Sequence, residues 1–142
     1  RSGGSDLRQP DLEPGIVDHV CRIIANISFK GAGVEQQPLS REGQVVQDAD
    51  RLDAMGAIGV ARAFAYGGAK GRAIHDPAIK PTNHSTPEAY LKGGTSVNHF
   101  YEKLLLLKDR MNTATGRAMA QERHRFMEEY LRRFLEEWEG RQ

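Results

Sequence analysis

One cysteine, Cys21, is all the thiol the 142 residues hold, so an internal disulfide and any zinc site built from cysteine pairs are excluded. Sparse cysteine suits a reducing compartment, and a cytoplasmic setting is the expectation. Apolar runs are short as well: none approaches the roughly 20 residues needed to cross a bilayer, so no membrane span is expected. The formal net charge is only +1, which gives no strong nucleic-acid signal, and any basic site would have to be local. Alternating β-branched stretches and internal repeats are missing too, which argues against a sheet. The chain starts at Arg1, with neither an initiator Met nor an apolar leader. Residues 1–14 are therefore expected to be a polar lead-in or a cloning remnant, and 15–142 a helical domain forming part of a longer one.

Helical spacing is what the chain does have. Ile16, Val20, Ile23, Ile24 and Ile27 recur at helical intervals with Val17 beside them, predicting an amphipathic helix stopped by Lys30-Gly31-Ala32-Gly33. Ser40 is a candidate N-cap for a second helix over Arg41 to Leu52. A small-residue segment from Ala54 to Tyr66 predicts a third helix, placed in the core and ended by Gly67-Gly68. A Gly/Pro-rich loop near 67–95 follows, with a helical turn around Pro87 to Leu91 as an option. Such long loops in compact domains are usually lids, binding loops or disordered segments. Ser96 is the candidate cap of a helix bearing Phe100, Leu104, Leu107 and Met111. Thr113 or Thr115 then starts a long final helix with Met119, Phe126, Met127, Tyr130, Leu131, Phe134, Leu135 and Trp138 on its apolar face. The fold class is all-α, a helical bundle.

The densest chemistry lies in Val45-Val46-Gln47-Asp48-Ala49-Asp50-Arg51-Leu52-Asp53-Ala54-Met55-Gly56-Ala57-Ile58-Gly59. Three carboxylates at helical spacing fan around the axis, so they do not converge by themselves. With Val46, Ala49 and Leu52 as packing positions, Asp50 falls at the edge of the buried stripe. A carboxylate beside a packed face suits a hard cation, because burying it without a partner is costly. Spacing equally allows solvated charges or a cap for the next helix.

Several blocks together carry a resemblance. Asp48-Ala49-Asp50-Arg51-Leu52-Asp53 is preceded by Ile27-Ser28-Phe29-Lys30-Gly31 and followed by Gly56 through Gly68. Later come His99-Phe100-Tyr101-Glu102-Lys103-Leu104 and Glu122-Arg123-His124-Arg125-Phe126-Met127. In this order they resemble a bacterial-type subgroup of the HD-domain metal-dependent phosphohydrolases with a C-terminal helical extension, over nearly everything after Ile16. The resemblance implies an HD-like helical bundle of which this is the C-terminal portion. It implies a divalent metal (Mn, Mg, Zn or Fe) with Asp50 as ligand, Asp48 as second choice. It also implies a small phosphorylated substrate, a nucleotide being one option, and a homo-oligomer is a further option. The family's upstream His and adjacent His-Asp pair have no match before Asp50. His19 stands in the order Asp18-His19, and His75-Asp76 comes after Asp50 in a Gly/Pro-rich loop and reads as coincidence.

Candidates for substrate phosphate are Lys70 and Arg72 in Gly67-Gly68-Ala69-Lys70-Gly71-Arg72, Lys30 at a helix end, and His99, which equally could cap or pack. The Gly-rich segment does not match a phosphate-loop pattern. His124 reads as structural and His84 as a solvated loop residue. The function expected is a phosphohydrolase using metal-activated water, this chain being an incomplete and inert form. The alternative is a non-catalytic helical interaction or oligomerisation module.

Overall fold

The computed structural model describes residues 13–27, 38–82 and 94–141. Among them are five α-helices and one 3-10 segment, with no strand, so the all-α expectation holds. They are α1 (Pro14–Ile27), α2 (Arg41–Asp53), α3 (Gly56–Ala69), α4 (Ser96–Glu102), the 3-10 segment Leu104–Arg110 and α5 (Ala114–Trp138). None of these helices is long and apolar enough to cross a membrane. Lys30, the Gly31 to Gly33 stop, His84 and the turn at Pro87 to Leu91 lie outside the described residues.

Side-chain caps set two of the starts the sequence marks. Ser40 accepts from the Gly43 N–H at 3.2 Å, and Thr113 accepts from the Gly116 N–H at 2.9 Å. Each satisfies an N–H that the first turn cannot pair internally. The start of α4 differs from expectation: Thr95, not Ser96, is the cap, its hydroxyl accepting from the Asn98 N–H at 3.0 Å. That helix also ends early, at Glu102, and the apolar series Leu104, Leu107 continues in a 3-10 turn.

The structure corrects four further expectations. On α2 the covered face is Gly43, Gln47, Asp48, Arg51 and Leu52, while Val46 and Ala49 are exposed. The α3 helix presents only one buried face, through Gly56, Gly59, Val60 and Gly67, and Ala57, Ile58, Ala61 and Ala65 face outward. It also runs through Gly67-Gly68 to Ala69, and Gly67 lies so close to Ser96 that a β-carbon would strike the Ser96 hydroxyl. The turn comes at Gly71 instead, at φ 65°, the left-handed region that glycine enters without penalty. On α5, Ala120, Met127 and Leu131 are buried, whereas Met119, Phe126 and Trp138 remain exposed.

The core lies where α3, α4, the 3-10 segment and α5 meet. Phe100 is completely buried and stands among Phe64 and Tyr130, ring centroids 5.7 and 6.5 Å away. Met55, Leu107 and Met127 fill the space around them. Full burial of side chains of this size contributes roughly 1.5–3 kcal/mol each. By contrast α1 buries only Ile23, and Ile16, Val17, Val20 and Ile24 of its apolar stripe face outward.

Candidate functional site

The end of α2, the inner face of α3 and the start of α4 enclose a cleft of about 340 Å³. Its polar lining is Arg62, Tyr66, Arg72, Ser96, His99 and Lys103. The segment after α3 is tied to α4 by main-chain bonds, Ser96 N–H to the Ala73 carbonyl and Val97 N–H to the Ile74 carbonyl, both 3.0 Å. Arg72 is thereby held beside His99 without belonging to either helix. The Asn98 amide adds a bond to the Ile79 carbonyl at 2.9 Å.

Cations dominate the electrostatics of this cleft. Burial, with Lys103 and Arg72 adding like-charge repulsion, lowers the His99 pKa from 6.5 to about 4. Its imidazole is therefore neutral at pH 7, and it enters the cleft as a hydrogen-bonding group rather than the cation that phosphate binding by a protonated His99 calls for. Burial also pushes the Lys103 ammonium down, opposed by the negative charge of Asp50. Lys70 and Arg72 both stand 5.7 Å from the centroid of the Tyr66 ring, whose negative face attracts them. Arg62 is paired with the Asp53 carboxylate at the cleft wall. A set of fixed cations around a concave, partly dehydrated space is suited to a compact anion with several oxygen acceptors.

The two aspartates proposed from sequence part company. Asp50 is exposed on α2. Asp48 is buried in the seam between α2 and α5. One of its oxygens accepts from the Asn112 N–H at 2.8 Å and the Asn112 amide at 2.9 Å. The other accepts from the Thr113 N–H at 2.8 Å and its hydroxyl at 2.7 Å. Burial alone would raise the Asp48 pKa, but these bonds outweigh it and hold the carboxyl below its ordinary value. With four donors on its two oxygens, Asp48 is an anchor for the start of α5.

The other histidines lie elsewhere. His75 packs edge-on against Phe134 and Trp138, centroids 6.3 and 5.3 Å away, and Asp76 accepts from the Ala78 N–H within its own turn. His19 lies beside Ser40 and Glu42 at the opposite end of α2, about 12 Å along the axis from Asp50 by helical rise. His124 is buried between Lys108 and Glu128, each 3.3 Å from its Nε2. Among the described residues no group of three His, Cys, Asp or Glu side chains could hold a metal. Asp50 alone is not a metal site, since a divalent cation needs several protein ligands.

Sequence reasoning missed Lys103, Arg62 and Tyr66. For Lys103 a signal was present: it follows His99 by four residues, the spacing that puts two side chains on one helix face. Arg62 and Tyr66 share the same four-residue relation on α3, but nothing local told which face of α3 would line a cleft.

No family model matches the chain. The Bacillus subtilis protein YpgQ is 44% identical over 124 residues, covering 87% of this chain and 53% of YpgQ. A solved structure from Lactobacillus plantarum superposes with a TM-score of 0.83 at 48% identity, covering 91% of this chain and 61% of that one. An HD-superfamily hydrolase from Bacillus thuringiensis superposes with a TM-score of 0.67, also at 48% identity, over 91% of this chain and 56% of its own. YpgQ has also been crystallised in complex with ADP, and that structure matches with a TM-score of 0.66 and 42% identity over 89% of this chain and 54% of its own. The chain thus has the HD-like helical fold of these structures. It spans about half the length of the curated relative it matches.

Proposed function

We propose that these residues are part of an HD-type phosphohydrolase that cleaves a phosphate ester or a nucleotide with water as nucleophile. The observation that carries this reading is the cleft at the end of α2, lined by Arg62, Arg72, Lys103 and the neutral His99. Arg72, Lys103 and Lys70 hold phosphate oxygens, and neutral His99 donates or accepts a hydrogen bond without adding charge. The likeness to an HD-superfamily hydrolase supports the reaction class, and the ADP complex of YpgQ supports a phosphorylated ligand. Enzymes of this class use a divalent cation (Mn, Mg, Zn or Fe) that polarises the phosphoryl group and activates water. Toward that cation the described residues offer Asp50, and the remaining ligands come from outside them.

The test is metal-dependent hydrolysis by the complete enzyme. Asp50→Ala is expected to abolish chelator-sensitive hydrolysis while leaving the helical circular dichroism spectrum nearly intact. Full activity in Asp50→Ala, combined with its loss in Asp48→Ala, would transfer the ligand role to Asp48. If neither substitution matters, the phosphohydrolase reading fails. The isolated 142 residues are expected to be inert and to bind Mn²⁺ weakly. Tight stoichiometric binding with chelator-sensitive turnover would instead direct attention to His75 and Asp76.

A second reading, a helical interaction or oligomerisation module, draws on the outward apolar stripes Ile16, Val17, Val20 and Ile24 on α1 and Val45 and Val46 on α2. Exposed apolar surface of this kind promotes association. A concentration-independent monomer in sedimentation would remove it.

A further inference from the structure

The chain folds back on itself where α3 ends. Arg72 N–H donates to the Gly67 carbonyl at 2.9 Å and Gly71 N–H to the Gly68 carbonyl at 3.0 Å, while Gly71 holds φ 65°. This pair of bonds is a Schellman closure, in which a left-handed glycine turns the chain back over the helix end. Tyr66 precedes the closure, half-exposed and part of the cleft wall. Lys70 reaches its ring from four residues further along the chain, the spacing that shares a helix face. Arg72 reaches the same ring from the returning chain, and both cations stand 5.7 Å from the centroid. Arg72 lines the cleft and Lys70 does not, so the shared ring is what links Lys70 to that space.

We propose that Tyr66 is a positioning residue for anion binding, its ring holding the Lys70 ammonium and the Arg72 guanidinium ready for phosphate oxygens. Long cationic side chains lose much rotamer freedom when they close on a ligand. A ring that confines both beforehand lowers that cost. Having no formal charge, the ring attracts cations through its π face without neutralising them as a carboxylate would. Two like charges beside one ring repel each other, and an anion received between them removes that repulsion. The proposal rests on the reading above that the cleft takes phosphate groups, and it involves no metal.

Isothermal titration of the 142-residue chain with inorganic pyrophosphate, in chelator-treated buffer at neutral pH and fixed ionic strength, tests it. Tyr66→Leu is expected to weaken binding about fivefold and Tyr66→Phe to keep it within about twofold, the scale of cation–π contacts at a partly exposed site. A ring-fluorinated phenylalanine at the same position keeps the shape but removes the negative potential of the ring face. It is expected to bind as weakly as the Leu variant, whereas a role in packing alone would leave it at parent affinity. Proton NMR gives a second readout: ring-current shifts on the Lys70 and Arg72 side-chain methylenes are expected in the parent and in Tyr66→Phe, and not in Tyr66→Leu. Parent affinity in Tyr66→Leu or in the fluorinated variant overturns the proposal, as does the absence of ring-current shifts in the parent. A loss in Tyr66→Phe equal to that in Tyr66→Leu also overturns it, because the hydroxyl and not the ring face would then act. Tyr66→Met serves the same comparison if the Leu variant loses helical signal. No pyrophosphate binding by the parent chain overturns this proposal and the phosphate reading of the cleft together. Failure of the Asp50→Ala hydrolysis test alone leaves the role of Tyr66 standing.

Discussion

Asp48 and Asp50 are separated by a single residue on α2, yet one is sealed into a seam and the other stands exposed on the helix surface. Asp48 is 3% exposed, with donors from Asn112 and Thr113 on both oxygens. Asp50 is exposed. Two residues of helix rotate a side chain by roughly 200°, so neighbours of the same type face opposite surroundings. The inner carboxylate stabilises the fold, and the outer one takes no part in that seam. Arg51 belongs to the inner side with Asp48, buried and donating to the Arg110 carbonyl just before α5.

The sharpest way to break this comparison is truncation at the seam. Asp48→Ala leaves the Asn112 and Thr113 donors without their acceptor, and urea unfolding should show a loss of about 3 kcal/mol. Gly116→Ala attacks the same seam from α5, since a β-carbon there would press into the Asp48 carboxylate and the Thr113 hydroxyl. Overpacking of this kind costs about 2 kcal/mol. In the Asp48→Ala background the cost should shrink, because the obstructing carboxylate is gone. Equal costs in both backgrounds would show that the seam is not built around Asp48.

Acidity separates the two sides further. A neutral His99 in the fold, with its pKa depressed from 6.5 to about 4, means that the unfolded chain binds more protons between those values. Its contribution is fully present above pH 6.5 and is lost as pH falls toward about 4. His99→Gln should flatten the stability profile across that window. The Asp48 contribution is present above its unfolded value of 3.8 and declines only as pH falls through its lower folded value. Asp48→Asn should therefore change the profile below the His99 window. A profile already flat in the parent chain between pH 4 and 6.5 would contradict the burial of His99. The smallest effect belongs to Asp50→Ala, where unfolding free energy should move by less than about 0.5 kcal/mol, as for an ordinary surface change.

Much of this was legible before any coordinates. The Ser40 and Thr113 caps, the order of the helices and the long final helix follow from short-range signals that act within one turn. Thr95 was overlooked because Thr95 and Ser96 are both competent caps and only the backbone path decides between them. Gly67-Gly68 reads as a stop by composition, yet α3 runs on to Ala69; Gly67 serves a close approach to Ser96, while a β-carbon at Gly68 would meet nothing. The resemblance makes Asp48 the second ligand candidate after Asp50, and nothing near it in sequence announces its bonds to Asn112 and Thr113, which lie more than sixty residues away. Lys103 shows locally only its four-residue spacing from His99, and its place in a cleft with Arg72 depends on the chain path after α3.

By itself the sequence determined that the chain is helical, where most helices begin, and which residues share a stripe. Those properties depend on spacing and on contacts within a few residues. The tertiary structure alone decided which stripe is covered, so that Val46 faces outward while Asp48 is buried, and α1 keeps most of its apolar stripe in the open. Periodicity places side chains on a common face, but burial needs a partner surface, and that partner comes from a distant part of the chain.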